Sequence, residues 1–191
     1  IYKHLARRLS SSPVRLCFSF EPEPLGTGGA LKHAEWFFGN SPFWLVNSDI
    51  IFDVSPQLLR QAFARNPFVV SWVTRSAGPR TLLVENSTIT RFRGGDPSIN
   101  NAFTLCGLHL LSPSIRDFFP TSRVFSIVES FEKAMNRGKR ISAVSDDNSF
   151  WADIGTPDKY IMEHFRFADW KSRNNRTKGL LLRGTSYPDD S

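Results

Sequence analysis

The stretch FWADIGTP, residues 150–157, decides the fold of this chain. Its first residues predict a short apolar strand that ends on the carboxylate of Asp153, and Gly155 allows a sharp turn directly afterwards. Thr156 and Pro157 are typical of the first positions of a helix. The stretch therefore predicts a strand, a turn and a helix, with an aspartate at the point where the strand ends.

A second aspartate, Asp49, follows the almost wholly apolar strand predicted for residues 43–46. In open α/β sheets the ligand crevice lies beyond the carboxyl ends of the strands, so we expect the carboxylates of Asp49 and Asp153 to face a ligand there. Two such carboxylates can hold Mg²⁺, which also binds substrate phosphates. The alternative is that each aspartate caps a loop or a turn through bonds to backbone N–H groups.

A glycine-rich segment, EPEPLGTGGA at residues 21–30, precedes the first of these aspartates. It predicts a turn that opens a helix, where small residues would let a flat base or ribose approach the backbone N–H groups. Taken alone, the segment is equally typical of a tight turn without a ligand. The sequence therefore indicates a candidate nucleoside site here and leaves the simpler interpretation open.

Apolar runs of strand length alternate with helical patterns along the chain, which predicts an α/β fold with a mixed, mostly parallel sheet flanked by helices. Residues 81–92 predict a hairpin around Glu85, Asn86 and Ser87. The other predicted strands are residues 14–20, 43–46, 68–73, 103–111, 141–144 and the segment at Trp151. The main predicted helices are residues 30–38, 55–63, 127–135 and 156–170, with a short one from Ser112.

The composition excludes several classes of protein. The 191 residues carry a net charge of +6, but the excess of basic residues lies at the two ends of the chain, so a nucleic-acid-binding face is not predicted. No apolar run approaches the roughly 20 residues that span a bilayer, and no membrane partner is expected. Cys17 and Cys106 lie in apolar segments and are expected to be buried free thiols in a cytoplasmic protein.

The three segments around Glu21, Asp49 and Asp153 together resemble the sugar-phosphate nucleotidyltransferases. The resemblance implies a Rossmann-like sheet and an enzyme that joins a nucleoside triphosphate to a sugar-1-phosphate, releasing pyrophosphate. It also implies Mg²⁺ held by Asp49 and Asp153 as the catalytic pair. A protein nucleophile is not required, because the attacking phosphate oxygen is already ionised, and the sequence shows no convincing nucleophile-and-base arrangement.

The same resemblance assigns the binding residues. The family's nucleoside turn, Glu-x-x-Pro-Leu-Gly-Thr-Ala-Gly-Ala, matches residues 21–30 except that Gly28 stands in place of alanine. The implied nucleotide-binding residues are Glu21, Leu25, Gly26, Thr27 and Gly28. Relatives carry a Phe-Thr-Gly-Ile strand near the sugar where this chain has residues 103–108, and the implied sugar-binding residues are Asn101, Thr104 and Gly107. An ordinary core strand is the alternative there.

The sequence departs from the family at two places. Members open with a strand and a Gly-x-Gly-Thr-Arg loop for the triphosphate, and this segment is not in the chain. We therefore expect an N-terminally truncated domain that lacks its first strand and phosphate loop and is impaired in catalysis. Where many relatives have Glu-Lys-Pro, this chain has residues 92–95, FRGG, which is somewhat closer to the muramate-type uridylyltransferase branch.

These departures keep a second function open, a non-catalytic domain that binds a nucleoside-diphosphate sugar or a protein partner with the same fold. We expect one nucleotidyltransferase domain over residues 1–170 and a basic, polar and disordered tail over residues 171–191. The base, the sugar and the oligomeric state are not indicated by the sequence, and self-association is compatible with it.

Overall fold

A computed structural model of the chain describes residues 2–9, 13, 15–146 and 148–174. Helices flank a six-stranded sheet, and a separate two-stranded ribbon lies beside it. The strands are β1 (Phe43–Val46), β2 (Ile50–Phe52), β3 (Val69–Thr74), β4 (Leu82–Glu85), β5 (Thr88–Arg91), β6 (Ala102–Leu111), β7 (Ile141–Ser145) and β8 (Trp151–Asp153). The helices are α1 (Tyr2–Arg8), α2 (Gly26–His33), α3 (Pro56–Arg65), a 3₁₀ helix (Pro113–Phe118), α4 (Ile127–Asn136) and α5 (Pro157–Asn174).

The order of the large sheet is β1-β6-β3-β7-β5-β4, with a further pairing between β6 and β4. The predicted α/β class and mixed sheet are confirmed, but "mostly parallel" is wrong for the pairings that the structure describes. Of these, β3–β7 is parallel and the others are antiparallel. The reason is that β6 runs antiparallel to both β1 and β3 and separates these two strands, which point in the same direction.

The core lies on both faces of the sheet, and β3 shows why. Successive side chains of a strand point to opposite faces. Val69 and Val73 accordingly pack on the side of α2, α4 and the 3₁₀ helix, whereas Val70 and Trp72 pack on the side of α3, β2 and β8. Every residue of β3 is buried. The apolar run at 68–73 therefore forms a strand covered on both faces, as its composition predicts.

Local chemistry explains several element boundaries. Ser126 and Glu129 form a capping box at the start of α4. The backbone N–H of Ser126 donates to the Glu129 carboxylate, and the backbone N–H of Val128 donates to the Ser126 hydroxyl. Asn86 and Ser87 take positive φ angles of 48° and 59°, as a two-residue hairpin turn requires, and the predicted hairpin is confirmed. The predicted strand at 103–111 and the helix at 127–135 are also present.

One predicted strand and the ends of two predicted helices are wrong. Residues 15–20 of the strand predicted at 14–20 form no strand, and Val14 lies outside the described residues. All six residues are exposed, and among the described residues no strand pairs with this alternating segment. The helix predicted at 30–38 ends at His33, so Phe37 is exposed. Residues 171–174, predicted as tail, continue α5, and residues 175–191 lie outside the described part.

The two cysteines differ in their surroundings. Cys106 is a fully buried free thiol in β6, as predicted, and burial raises its pKa. Cys17 is also free, but it is exposed, because the segment that carries it forms no strand. Within the described residues, no helix has both the length and the apolar character that a bilayer span requires.

His109 in β6 is a titratable group inside the core. Its side chain is 1% exposed, its Nδ1 atom shares a hydrogen bond of 2.8 Å with the Ser71 hydroxyl, and its ring packs edge-on against Phe131. Burial lowers the pKa of His109 to about 4, because the charged imidazolium would lose its hydration there. The folded protein therefore holds this histidine neutral.

We expect the free energy of unfolding to fall as the pH drops from about 6.5 to about 4. Over that range the unfolded chain takes up a proton at His109 that the folded protein does not, which costs up to about 1.4 kcal/mol per pH unit. Urea unfolding at a series of pH values measures this slope. A His109→Gln variant should lose that part of the slope, and the exposed His164→Gln should retain it; a constant difference between wild type and His109→Gln across the range would contradict the assignment.

Candidate functional site

The two aspartates predicted from the sequence meet in the two-stranded ribbon. β2 pairs with β8 in antiparallel register, with Ile50 opposite Asp153. Asp49 immediately precedes β2, and its carbonyl oxygen accepts a 2.8 Å hydrogen bond from the backbone N–H of Ile154. The pairing therefore brings Asp49 and Asp153 to the same end of the ribbon, although they are far apart in the chain.

Gly155 shows how closely the two carboxylates approach. A Cβ atom at Gly155 would lie 3.0 Å from Oδ2 of Asp49 and 3.2 Å from Oδ1 of Asp153. Both oxygens thus lie within 3.2 Å of one point beside Gly155, where a side chain would crowd them. Mg²⁺ binds oxygen ligands at about 2.0–2.1 Å and commonly uses one or two carboxylates. The donor set and the space fit one divalent cation, held by Asp49 and Asp153 and otherwise by water or phosphate oxygens.

No group of three or more histidine, cysteine, aspartate or glutamate residues suited to a metal occurs in the described part of the chain. A cation at Asp49 and Asp153 would therefore keep most of its coordination positions for other ligands. This is typical of Mg²⁺ sites that act on phosphates rather than of closed structural sites.

Lys159 is a residue of this site that the sequence analysis did not identify. Its Nζ atom donates to Oδ2 of Asp153 at 2.6 Å, and the backbone N–H of Gly155 donates to Oδ1 at 2.9 Å. The ammonium group, together with that N–H, holds the pKa of Asp153 below its ordinary value. A signal was present in the sequence: Lys159 lies three residues after Thr156, which places it in the first turn of the predicted helix beside Asp153.

A cavity of about 160 Å³ adjoins Asp153. One wall is the 77–79 loop and the other is α5, and groups of both charges face the space. Arg166 also donates to the carbonyl oxygen of Trp151 at the back of the ribbon. The residues around the cavity are Ala77, Gly78, Pro79, Trp151, Ala152, Asp153, Lys159, Glu163 and Arg166.

The glycine-rich turn is packed against the segment that leads into α4. The backbone N–H groups of Gly28 and Gly29 donate to the carbonyl oxygen of Phe125, at 3.0 and 3.2 Å. A Cβ atom at Gly28 would lie 2.3 Å from the Phe125 ring. The hydroxyl of Thr27 accepts a bond from the backbone N–H of Ile127 at 3.0 Å. These small residues therefore allow a close helix-to-loop contact.

The predicted nucleotide-binding residues consequently divide into two groups. Leu25 and Gly28 are buried, whereas Gly26 and Thr27 are exposed. Glu21 is half-buried, and its Oε2 atom accepts a 3.1 Å bond from the backbone N–H of Leu25, which closes the turn. Gly26 has a φ angle of +72°, which a residue with a side chain rarely adopts. The exposed members are the ones that a ligand can reach.

The predicted sugar-binding residues lie in or beside β6. Thr104 is buried, and its hydroxyl donates to the carbonyl of Ala77 at 2.7 Å and accepts from the N–H of Arg80 at 2.9 Å. Thr104 therefore holds the loop that lines the cavity beside Asp153. Gly107, with a φ angle of +74°, leaves room for Asn47, whose N–H donates to the Gly107 carbonyl at 2.9 Å. Asn101 lines a separate cavity of about 410 Å³.

The chain resembles curated proteins named as mannose-1-phosphate guanyltransferases. It is 30% identical over 157 residues to the one from Aspergillus fumigatus and 30% identical over 155 residues to the catalytic subunit beta from Drosophila melanogaster. Each match includes 78% of this chain, and the chain spans 43% and 42% of the length of the two relatives. No family model matches the chain.

Solved structures share its fold at low sequence identity. The inositol-1-phosphate CTP transferase from T. maritima matches 89% of this chain, and 73% of its own length, with a TM-score of 0.69 at 18% identity. A UDP-glucose pyrophosphorylase complexed with UDP-glucose matches 88% of this chain and 74% of its own length, with a TM-score of 0.61 at 17% identity. The predicted nucleotide-diphospho-sugar transferase fold is confirmed. In sequence and in fold the chain is therefore similar to the sugar-phosphate nucleotidyltransferases.

Proposed function

We propose that this chain carries the site of a nucleotidyltransferase that joins a nucleoside triphosphate to a sugar-1-phosphate, yielding a nucleoside-diphosphate sugar and pyrophosphate. The observation that carries the proposal is the approach of Oδ2 of Asp49 and Oδ1 of Asp153 to one point beside Gly155. The relatives by sequence and by fold are named for this class of reaction. The chain spans less than half of the length of the curated relatives, so the activity has to be measured on this chain itself.

The site chemistry suits this reaction. Asp49 and Asp153 would hold Mg²⁺, which when bound offsets the charge that builds on the α-phosphate during transfer. A sugar phosphate at neutral pH has an ionised oxygen, so no side chain has to remove a proton from the attacking group. His109 is consistent with this, because it is buried away from the site and held neutral.

The other residues have supporting roles in this proposal. The exposed Gly26 and Thr27 would contact the nucleoside, with Glu21 fixing the turn that presents them. Thr104 would act on the sugar side by holding the 77–79 loop beside Asp153, since its hydroxyl is already bonded to that loop. Gly107 would act through Asn47, two residues before Asp49. Leu25 and Gly28 would support the turn from inside, and Asn101 is the least connected candidate, since its cavity is a different one.

The substrates to test first follow from the relatives. Those at 30% identity are named for mannose-1-phosphate and guanylyl transfer, so GTP and mannose-1-phosphate come first. The sequence FRGG at residues 92–95 resembles the muramate-type uridylyltransferase branch somewhat more closely, so UTP with N-acetylmuramate-1-phosphate is the second pair. Pyrophosphate release reports turnover for either pair.

We expect the binding of a nucleoside triphosphate to depend on Mg²⁺ and on both aspartates. In Asp49→Asn and Asp153→Asn the carboxylate charge is lost while the side-chain volume is retained, so Mg²⁺-dependent affinity should fall at least about tenfold, the equivalent of about 1.4 kcal/mol. Isothermal titration calorimetry with and without Mg²⁺ measures the effect. The stability of both variants should stay close to that of wild type, since neither carboxylate is buried.

Asp117→Asn is the matched control. Asp117 lies in the 3₁₀ helix that follows β6, beside the start of β1, because the last residue of β6 pairs with the first residue of β1. Asp49 follows the other end of β1, so the control is remote from the proposed site. The control should bind nucleotide as wild type does. Nucleotide binding that is independent of Mg²⁺, or unchanged in Asp153→Asn, would argue against the catalytic proposal and for the non-catalytic binding domain.

Gly155→Ala tests the gap between the carboxylates. Its new methyl group would lie 3.0 Å from Oδ2 of Asp49 and 3.2 Å from Oδ1 of Asp153, so the oxygens would have to move apart by a few tenths of an ångström. Affinity for Mn²⁺, a paramagnetic substitute for Mg²⁺, should fall about three- to tenfold by electron paramagnetic resonance. Gly39→Ala, where a Cβ meets nothing within 4 Å, should bind as wild type. Equal affinities in the two variants would show that the cation lies elsewhere.

A further inference from the structure

Lys159 occupies a position that its helix disfavours. Thr156 accepts a 3.3 Å bond from the backbone N–H of Lys159, which makes Lys159 the third residue after the cap of α5. A glutamate or glutamine is preferred at this position, and the positive end of the helix dipole disfavours a cation. α4 follows the preference, with Glu129 at the third position after Ser126. The lysine of α5 therefore requires a different explanation.

Its partner is the candidate metal ligand. The Lys159 ammonium lies 2.6 Å from Oδ2 of Asp153, while the N–H of Gly155 occupies Oδ1. The two side chains are 51% and 41% exposed, and exposed ion pairs of this kind contribute little to stability. A purely structural role thus accounts poorly for a cation at this point in the helix.

We propose that Lys159 is a tethered counter-cation that contacts Asp153 until a divalent ion binds there, and that it then contacts the phosphate of the nucleotide. The inference rests on the proposed function and adds a positioning residue to the same site. A divalent ion at Asp49 and Asp153 would lie close to the ammonium group, and like charges in contact repel. The four-carbon stem of a lysine allows the group to move away.

A cavity beside Asp153 provides the space for this movement. The cavity of about 160 Å³ beside Asp153 is lined by Lys159 itself and by Glu163 on the same helix. A phosphate that shares the divalent ion with Asp153 would bring its oxygens close to that carboxylate. An ammonium displaced from Asp153 would then exchange one anionic oxygen for another and form a charge-assisted hydrogen bond. The exchange keeps Lys159 paired in both states.

This arrangement predicts effects of opposite sign on the metal and on the nucleotide. In Lys159→Met the competing charge is lost and the stem is retained, so Mn²⁺ without nucleotide should bind about fivefold more tightly, as expected for removal of an exposed ion pair. At saturating Mn²⁺, the affinity for GTP should instead fall about fivefold, because the contact with the phosphate is lost. Lys159→Arg retains the charge and should restore GTP binding at least in part.

Lys171→Met is the matched control, because it removes the same charge from the same helix. Lys171 lies in the last turn of α5, far along the helix from Lys159 in the first turn. Free Mn²⁺ is measured by electron paramagnetic resonance and GTP binding by calorimetry, with melting temperatures for each variant. Stronger Mn²⁺ binding and weaker GTP binding in Lys159→Met, with neither change in Lys171→Met, supports the proposal.

Three results would overturn it. Equal Mn²⁺ affinity in Lys159→Met and in wild type, with loss in Asp153→Asn, would remove the counter-cation role and leave the proposed function in place. Equal gains in Lys159→Met and Lys171→Met would show a general charge effect. Absence of Mn²⁺ binding in both wild type and Lys159→Met would contradict the metal site itself, and with it the proposed function.

Discussion

The position of β6 determines the rest of the structure. This ten-residue strand runs between β1 and β3 in the opposite direction to both, and its last six residues are all buried. Its main-chain groups also hold the site together. The carbonyl of Cys106 accepts a 2.9 Å bond from the indole nitrogen of Trp151 in β8, and the carbonyl of Gly107 accepts one from Asn47. The two chain segments that carry Asp153 and Asp49 are thus attached to neighbouring residues of one strand.

This attachment explains how exposed carboxylates stay together. Two like charges repel, and neither aspartate is buried enough for packing to fix it. The backbone holds them instead, through the β2–β8 pairing and the bond from Ile154 to the Asp49 carbonyl. The Lys159 ammonium and the Gly155 N–H offset the charge of Asp153. The backbone and these two donors therefore keep the two carboxylates close together without a bound cation.

The glycine-rich turn has a packing role besides the ligand contact that we propose for it. Its sequence matches the family's nucleoside turn with a single difference, Gly28 in place of alanine. The structure places the Phe125 ring where a side chain at residue 28 would lie, so this glycine permits a close contact inside the protein. The exposed face of the same turn, at Gly26 and Thr27, is where contact with a ligand remains open.

The sequence by itself determined the elements whose signals are local. The hairpin at Asn86 and Ser87 and the mostly apolar, fully buried strand β3 were predictable because turn chemistry and burial on two faces act over a few residues. The family motif also identified Asp49 and Asp153 as a pair. Only the tertiary structure decided that β6 separates β1 from β3 and that residues 15–20 form no strand. The physical reason is that strand pairing depends on which segments meet in space, and the spacing of residues along the chain does not encode that.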